Sequence, residues 1–162
     1  MQTVAAASLS WITRRDRQRL ARQVHYPPHF FYHFSDLYHM NRTMKLPGPD
    51  HPITITPESR RVTVTLGGTV IADSTRALSL KEASYPAVLY IPRDDVRMDQ
   101  LERTDHATYC PYKGDCAYYS IPAGGERSVN AVWTYEHPFS ATAQIASYLA
   151  FYPDRVDAIK VG

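Results

Sequence analysis

Between Arg61 and Asp73 the chain reads RVTVTLGGTVIAD. Val62, Val64 and Leu66 alternate with Thr63 and Thr65, Gly67 and Gly68 follow, and the return passes through Val70 and Ala72. A period of two sends every second side chain to one face of an extended strand, and a two-residue Gly-Gly connection folds that strand back on itself. A helix cannot use this pattern, because its apolar residues would be spread around the whole cylinder. The chain is therefore bound to antiparallel β pairing from its first ordered segment onward.

The rest of the sequence extends this reading. Leu78 and Leu80 alternate, Tyr85-Pro86 interrupts, Val88 to Ile91 forms another strand, and Pro92 stops it. The segment DDVRMDQLERT suits about one helical turn, capped by Asp94 or Asp95 with Val96 and Leu101 inward. HATYC and DCAYYSI read as two strands around a turn. Gly124-Gly125 makes a further turn, NAVWTYE is a strand, and RVDAIKV is a last short one. Between them, Ser140 is placed to cap a helix running to about Phe151, with Ile145, Leu149 and Tyr148 buried and Pro153 ending it. Twelve prolines against seven glycines agree with many interrupted segments. The expectation is a mainly β, antiparallel domain with one C-terminal helix.

Charge separates two regions. Residues 1–43 carry six arginines against Asp16 and Asp36, a surplus of +4, whereas residues 44–162 carry twelve Lys or Arg against fourteen acids, or −2. The slightly acidic second region offers no field for a phosphate backbone, so no nucleic-acid partner is expected. No apolar run is long enough to span a bilayer, so no membrane partner is expected either. Two cysteines in 162 residues make no disulfide framework, which points to a reducing, cytoplasmic compartment. The opening MQTVAAASLSWITRRDRQRLARQ has the Arg-rich, acid-poor composition of a targeting presequence. After it, His25, His29, His33 and His39 lack the carboxylate or cysteine partners and the spacing of a metal site. Orderly sequence starts at MKLPGPDHPITI, so residues 1–43 read as an extension, with Met44 a candidate start, and residues 44–162 as one domain.

Six ordered blocks, GPDHPITI, GGTVIADSTRAL, YIPRDDV, TYCPYKGDCAYYS, NAVWTYEHP and LAFYPDRVD, closely resemble the bacterial and fungal family catalogued as domain of unknown function four hundred twenty-seven. The resemblance implies a β-tent-like fold, two antiparallel sheets packed at an angle, as in methionine sulfoxide reductase B and the ligand-binding domain of cereblon. The family sometimes carries a nucleotidyltransferase label. Cys116 stands where the family usually has a small residue such as alanine, which favours a packing role for its sulfur. Typical members begin near KLPGPDHP, in keeping with the late start.

The block HATYCPYKGDCAYYSI holds the candidate chemistry. A single C-x5-C does not supply the four ligands of the zinc sites found in β-tent relatives, so no metal and no other cofactor is expected. If Pro111 to Gly114 make the turn, Cys110 pairs with about Asp115 and Cys116 points to the opposite face, which separates the two sulfurs. With Pro111 at the second position of the turn and Lys113 at the fourth, the ammonium falls near Cys110, and such a neighbour favours a thiolate nucleophile. His106 shares the face of Cys110. Tyr119, Trp133, Tyr135, Tyr85 and Tyr90 are placed to wall a cleft between two sheets, with Arg93 and Lys113 as its charges and Glu82 as its acid or base.

Three functions of different classes follow. The first is a small-molecule-binding module for a small anionic or amide-bearing ligand, with Lys113, Arg93, Tyr119, Trp133, Tyr135 and Tyr85 in contact. The second is an enzyme of nucleotidyltransferase or thiol group-transfer type, with Cys110 and Glu82 catalytic; a magnesium-binding pair there would have to come from Asp94, Asp95 and Asp99. The third is a structural or interaction domain. Pairing of two copies through an edge strand is the one assembly left open.

Overall fold

The computed structural model describes residues 42–162. The Arg-rich leader and the four histidines named above lie outside that range. Ten strands make three antiparallel sheets: β1 (Ile53–Pro57), β4 (Leu78–Glu82) and β5 (Val88–Tyr90) in the order β1-β4-β5; β2 (Val62–Leu66), β3 (Thr69–Ser74) and β10 (Ala158–Val161) in the order β10-β2-β3; and β6 (Glu102–Cys110), β7 (Gly114–Ser120), β8 (Val132–Thr134) and β9 (Leu149–Phe151) in chain order. The Gly67-Gly68 connection has φ of 57° and 75° at its two residues, the left-handed pair that a tight hairpin between right-twisted strands requires. No helix among the described residues is long and apolar enough to cross a membrane.

The mainly β reading holds, with three sheets rather than two and without the late helix. Ser140–Ile145 is a 3-10 segment broken at Thr142, where φ is −125°, and Leu149–Phe151 is a strand paired with β8. The Ile145 and Leu149 spacing that suggested one helical face is real, and both side chains are buried. Main-chain pairing on both edges of β9 overrides local helical preference: β8 lies on one side, and Leu149 exchanges two hydrogen bonds with Ile91 on the other. The segment expected to make a helical turn after Pro92 is instead two separate 3-10 turns, Arg93–Asp95 and Met98–Gln100, neither of them capped by a side chain.

The four-stranded sheet has a core on each face. Tyr119, Val132, Leu149 and Phe151 pack with Val62, Val64 and Ile71 of the β10-β2-β3 sheet. Cys116, Tyr118, Tyr135 and Ala150 pack with Leu80 and Tyr90 of the β1-β4-β5 sheet. The Ile91–Leu149 bridge joins β5 to β9 along a ridge, so two of the sheets meet there and enclose the second core.

Candidate functional site

The β6–β7 hairpin positions the central charge. Lys113 N–H donates to the Cys110 carbonyl at 3.2 Å, closing a turn with Pro111 second and Lys113 fourth. Gly114 follows with φ of 101°, and this left-handed residue absorbs one position, so Cys110 pairs with Gly114 rather than with Asp115. Because Thr108 pairs with Cys116, the two cysteines share a face, contrary to the expectation from sequence, and both pack against the ring-rich core as free thiols.

Lys113 turns inward from this hairpin. Its side chain is only 7% exposed, and Nζ lies 2.5 Å from Oε2 of Glu82, whose own side chain is 19% exposed. Glu82 sits at the end of β4, where its other oxygen, Oε1, is 2.9 Å from His51 Nε2. The His51 ring stacks on Tyr112 with centroids 3.9 Å apart and planes 4° from parallel, which fixes its orientation. Burial pushes the Glu82 carboxyl up, but the hydrogen bonds from His51 and Lys113 outweigh it and hold the group below the ordinary carboxylate range. At neutral pH Glu82 is a carboxylate and an acceptor, not a proton donor.

These polar groups open into a cavity of about 230 Å³ with aromatic walls. Tyr90, Tyr118 and Trp133 converge on it from β5, β7 and β8, Tyr135 from just past the end of β8, joined by Tyr152, and Tyr85 lies at its rim, 62% exposed. Trp133 donates its indole N–H to Tyr90 Oη at 3.3 Å and tilts against Tyr152 with centroids 4.5 Å apart. Tyr118 Oη is 2.8 Å from Thr108 Oγ1, and the Lys113 ammonium lies 5.9 Å from the centre of the Tyr135 ring. Burial raises the phenol pKa of Tyr90, Tyr118 and Tyr135, so all three remain neutral O–H groups.

Of the residues singled out in the sequence, Glu82, Lys113, Trp133, Tyr135, Tyr85 and Tyr90 line this one cavity. Arg93 and Tyr119 do not. Arg93 donates to Tyr119 Oη at 3.1 Å and reaches Glu136 at 3.4 Å, and Arg103 donates to the same Glu136 oxygen at 2.8 Å. The reason is alternation: Tyr118 pairs with Trp133 across the strands, so its neighbour Tyr119 faces the aliphatic core with Val132. Tyr118 is thus the wall residue in the YY pair, and only the register of β7 on β8 distinguishes the two. Tyr152 and His51 are further parts of this site that sequence reasoning does not find, since nothing local marks Tyr152, and His51 meets its partner Glu82 across 31 residues of chain.

Cys110 is half-buried in the ring-rich core, and the Lys113 ammonium donates to Glu82. The Cys116 thiol is pushed up by burial, in keeping with packing. The acidic run is dispersed as well. Asp95 accepts from Ser74 at 2.6 Å and from Arg76, while Asp99 accepts from Gln100 at 2.9 Å on the next turn.

A family model described as domain of unknown function (DUF427) matches residues 54–162. No curated protein matches the chain.

Proposed function

The chain belongs to the DUF427 family, and from the site built on that scaffold we propose that the domain binds a small, neutral, amide-bearing molecule in the aromatic cavity. The observation carrying this reading is the largely buried Lys113–Glu82 pair, its carboxylate partly exposed, facing an open, ring-walled space. A buried ion pair is a poor device for stability, since apolar residues of the same volume serve as well or better. Beside a cavity it offers adjacent donor and acceptor sites, which match the carbonyl and N–H of an amide. Of the two ligand types suggested by the sequence, the anionic one fits less well. The Lys113 charge is already compensated by Glu82, and Arg93 lies elsewhere. Trp133, Tyr135 and Tyr118 supply flat apolar walls, a common composition for a small-molecule site.

Titration with simple amides and lactams, followed through the indole N–H resonance of Trp133, tests the reading. Saturable shifts are expected, with affinity weakened at least tenfold in a Lys113→Met, Glu82→Gln double variant that removes both charges together. Equal binding by that variant and the native protein would refute the assignment.

A further inference from the structure

The cavity has a second chamber behind it. Antiparallel pairing between β5 and β9 consists of one rung, Ile91 with Leu149, whose two hydrogen bonds measure 2.7 and 2.8 Å. In such a ladder, residues two apart present their main-chain groups to the same neighbour. The next rung would therefore join Leu89 to Phe151. The bond from Tyr152 N–H to the Ala131 carbonyl, at 2.9 Å, agrees, because it shows alternate residues of this segment facing β8. Yet the Ile91–Leu149 bridge is isolated, and among the described residues β5 and β9 are not neighbours in any continuous ladder. One further step along, Pro153 has no N–H to offer, so that rung could form at most one of its two bonds. Regular pairing along the ridge therefore stops at a single rung.

Leu89 and Phe151 line a chamber of about 520 Å³ beyond that rung, together with Val64, Ile91 and Ile159 and without a single charged side chain. Trp133, Tyr152, Tyr85, Pro86 and Val88 line this chamber and the polar cavity alike, so the two adjoin at these five residues. We infer that the ligand is an amphiphile, an amide whose apolar chain passes Trp133 and Tyr152, the rings common to both spaces, and fills the outer chamber. The inference rests on the amide site proposed above and adds the class of substituent the amide carries. A chamber of this size and lining, adjoining a polar head site, takes a flexible hydrocarbon chain, which gains free energy by leaving water and makes apolar contact throughout.

The test uses the full chain and a series of N-alkylacetamides from methyl to octyl, with dissociation constants from calorimetry or NMR titration. Burial of each methylene is expected to tighten binding about fourfold until the chamber is full. The main-chain amide resonances of Leu89 and Phe151 should move only with the longer members. Ala87→Trp, at an exposed position bordering the chamber, should bring the ratio of octyl to methyl affinity close to one. If the methyl compound binds in a manner sensitive to the Lys113→Met, Glu82→Gln pair but affinity is flat along the series, the chain site is overturned and the amide site survives. Binding across the series that ignores that pair would overturn both.

Discussion

The two faces of the four-stranded sheet are built to opposite rules. On one, Val132, Leu149 and Phe151 meet Val62, Val64 and Ile71, and mainly aliphatic side chains fill the space between the sheets up to the edge where Val64 and Phe151 border the outer chamber. On the other, Tyr118, Trp133 and Tyr135 meet Tyr90 and Leu80, and a cavity remains. Rigid rings with polar tips cannot interdigitate as aliphatic chains do, because each tip must also reach a hydrogen-bond partner. The closed face supplies stability, and the open face keeps a shape that a ligand can use.

Substitutions on each side can break or sharpen this contrast. Leu149→Ala on the closed face should cost about 3–4 kcal/mol, since the surroundings collapse poorly onto a fully buried deletion; the urea midpoint reads it. Gly124→Ala probes the same side from above. A Cβ there would sit 1.9 Å from Ser128 Oγ and 2.9 Å from Leu66 Cδ2, and the overpacking should cost about 2–3 kcal/mol by the same measurement.

Changes on the cavity side are expected to be milder. Lys113→Met alone should cost about 2 kcal/mol, less than for a fully buried pair, because His51 still serves Glu82 and the carboxylate retains some exposure. Adding Glu82→Gln should recover most of that loss, and a thermal melt of the three proteins shows whether it does. Gly114→Ala should cost about 1 kcal/mol. There the added Cβ meets nothing nearer than 3.5 Å, and only the positive φ opposes it. A closed-face variant milder than Gly114→Ala would end the contrast.

The smallest effect is one of pH. The Glu82 carboxyl is held below its ordinary value of 4.5, so its contribution is fully present above that value and disappears as pH falls through the lower, folded one. Glu82→Gln should therefore flatten the acid limb of the stability curve below about pH 4.5 and leave its shape near neutrality unchanged. An acid limb identical in both proteins would show that the carboxylate is not held as the geometry indicates.

Much of this was readable from local chemistry. The period of two and the Gly67-Gly68 pair specify their hairpin unaided, and the Pro111 turn delivers Lys113 through a geometry that proline and glycine impose. The segment from Ser140 to Phe151 has an apolar spacing that satisfies a helix as well as a buried strand, and only the edges of β8 and β5 choose between them. The shared face of the two cysteines escapes the local pattern for a comparable reason. A left-handed Gly114 shifts the register by one, and a shift of one exchanges every face.

By itself, then, the sequence determined the β class, the turn positions and the residue types available for a site, because these depend on neighbours a few positions apart. The tertiary structure alone decided that Tyr118 and not Tyr119 walls the cavity, that Lys113 answers Glu82 rather than Cys110, and that pairing between β5 and β9 stops at a single rung. Those choices turn on cross-strand register and on contacts between segments about thirty or more residues apart, such as Glu82 with Lys113, and no local pattern of residues encodes them.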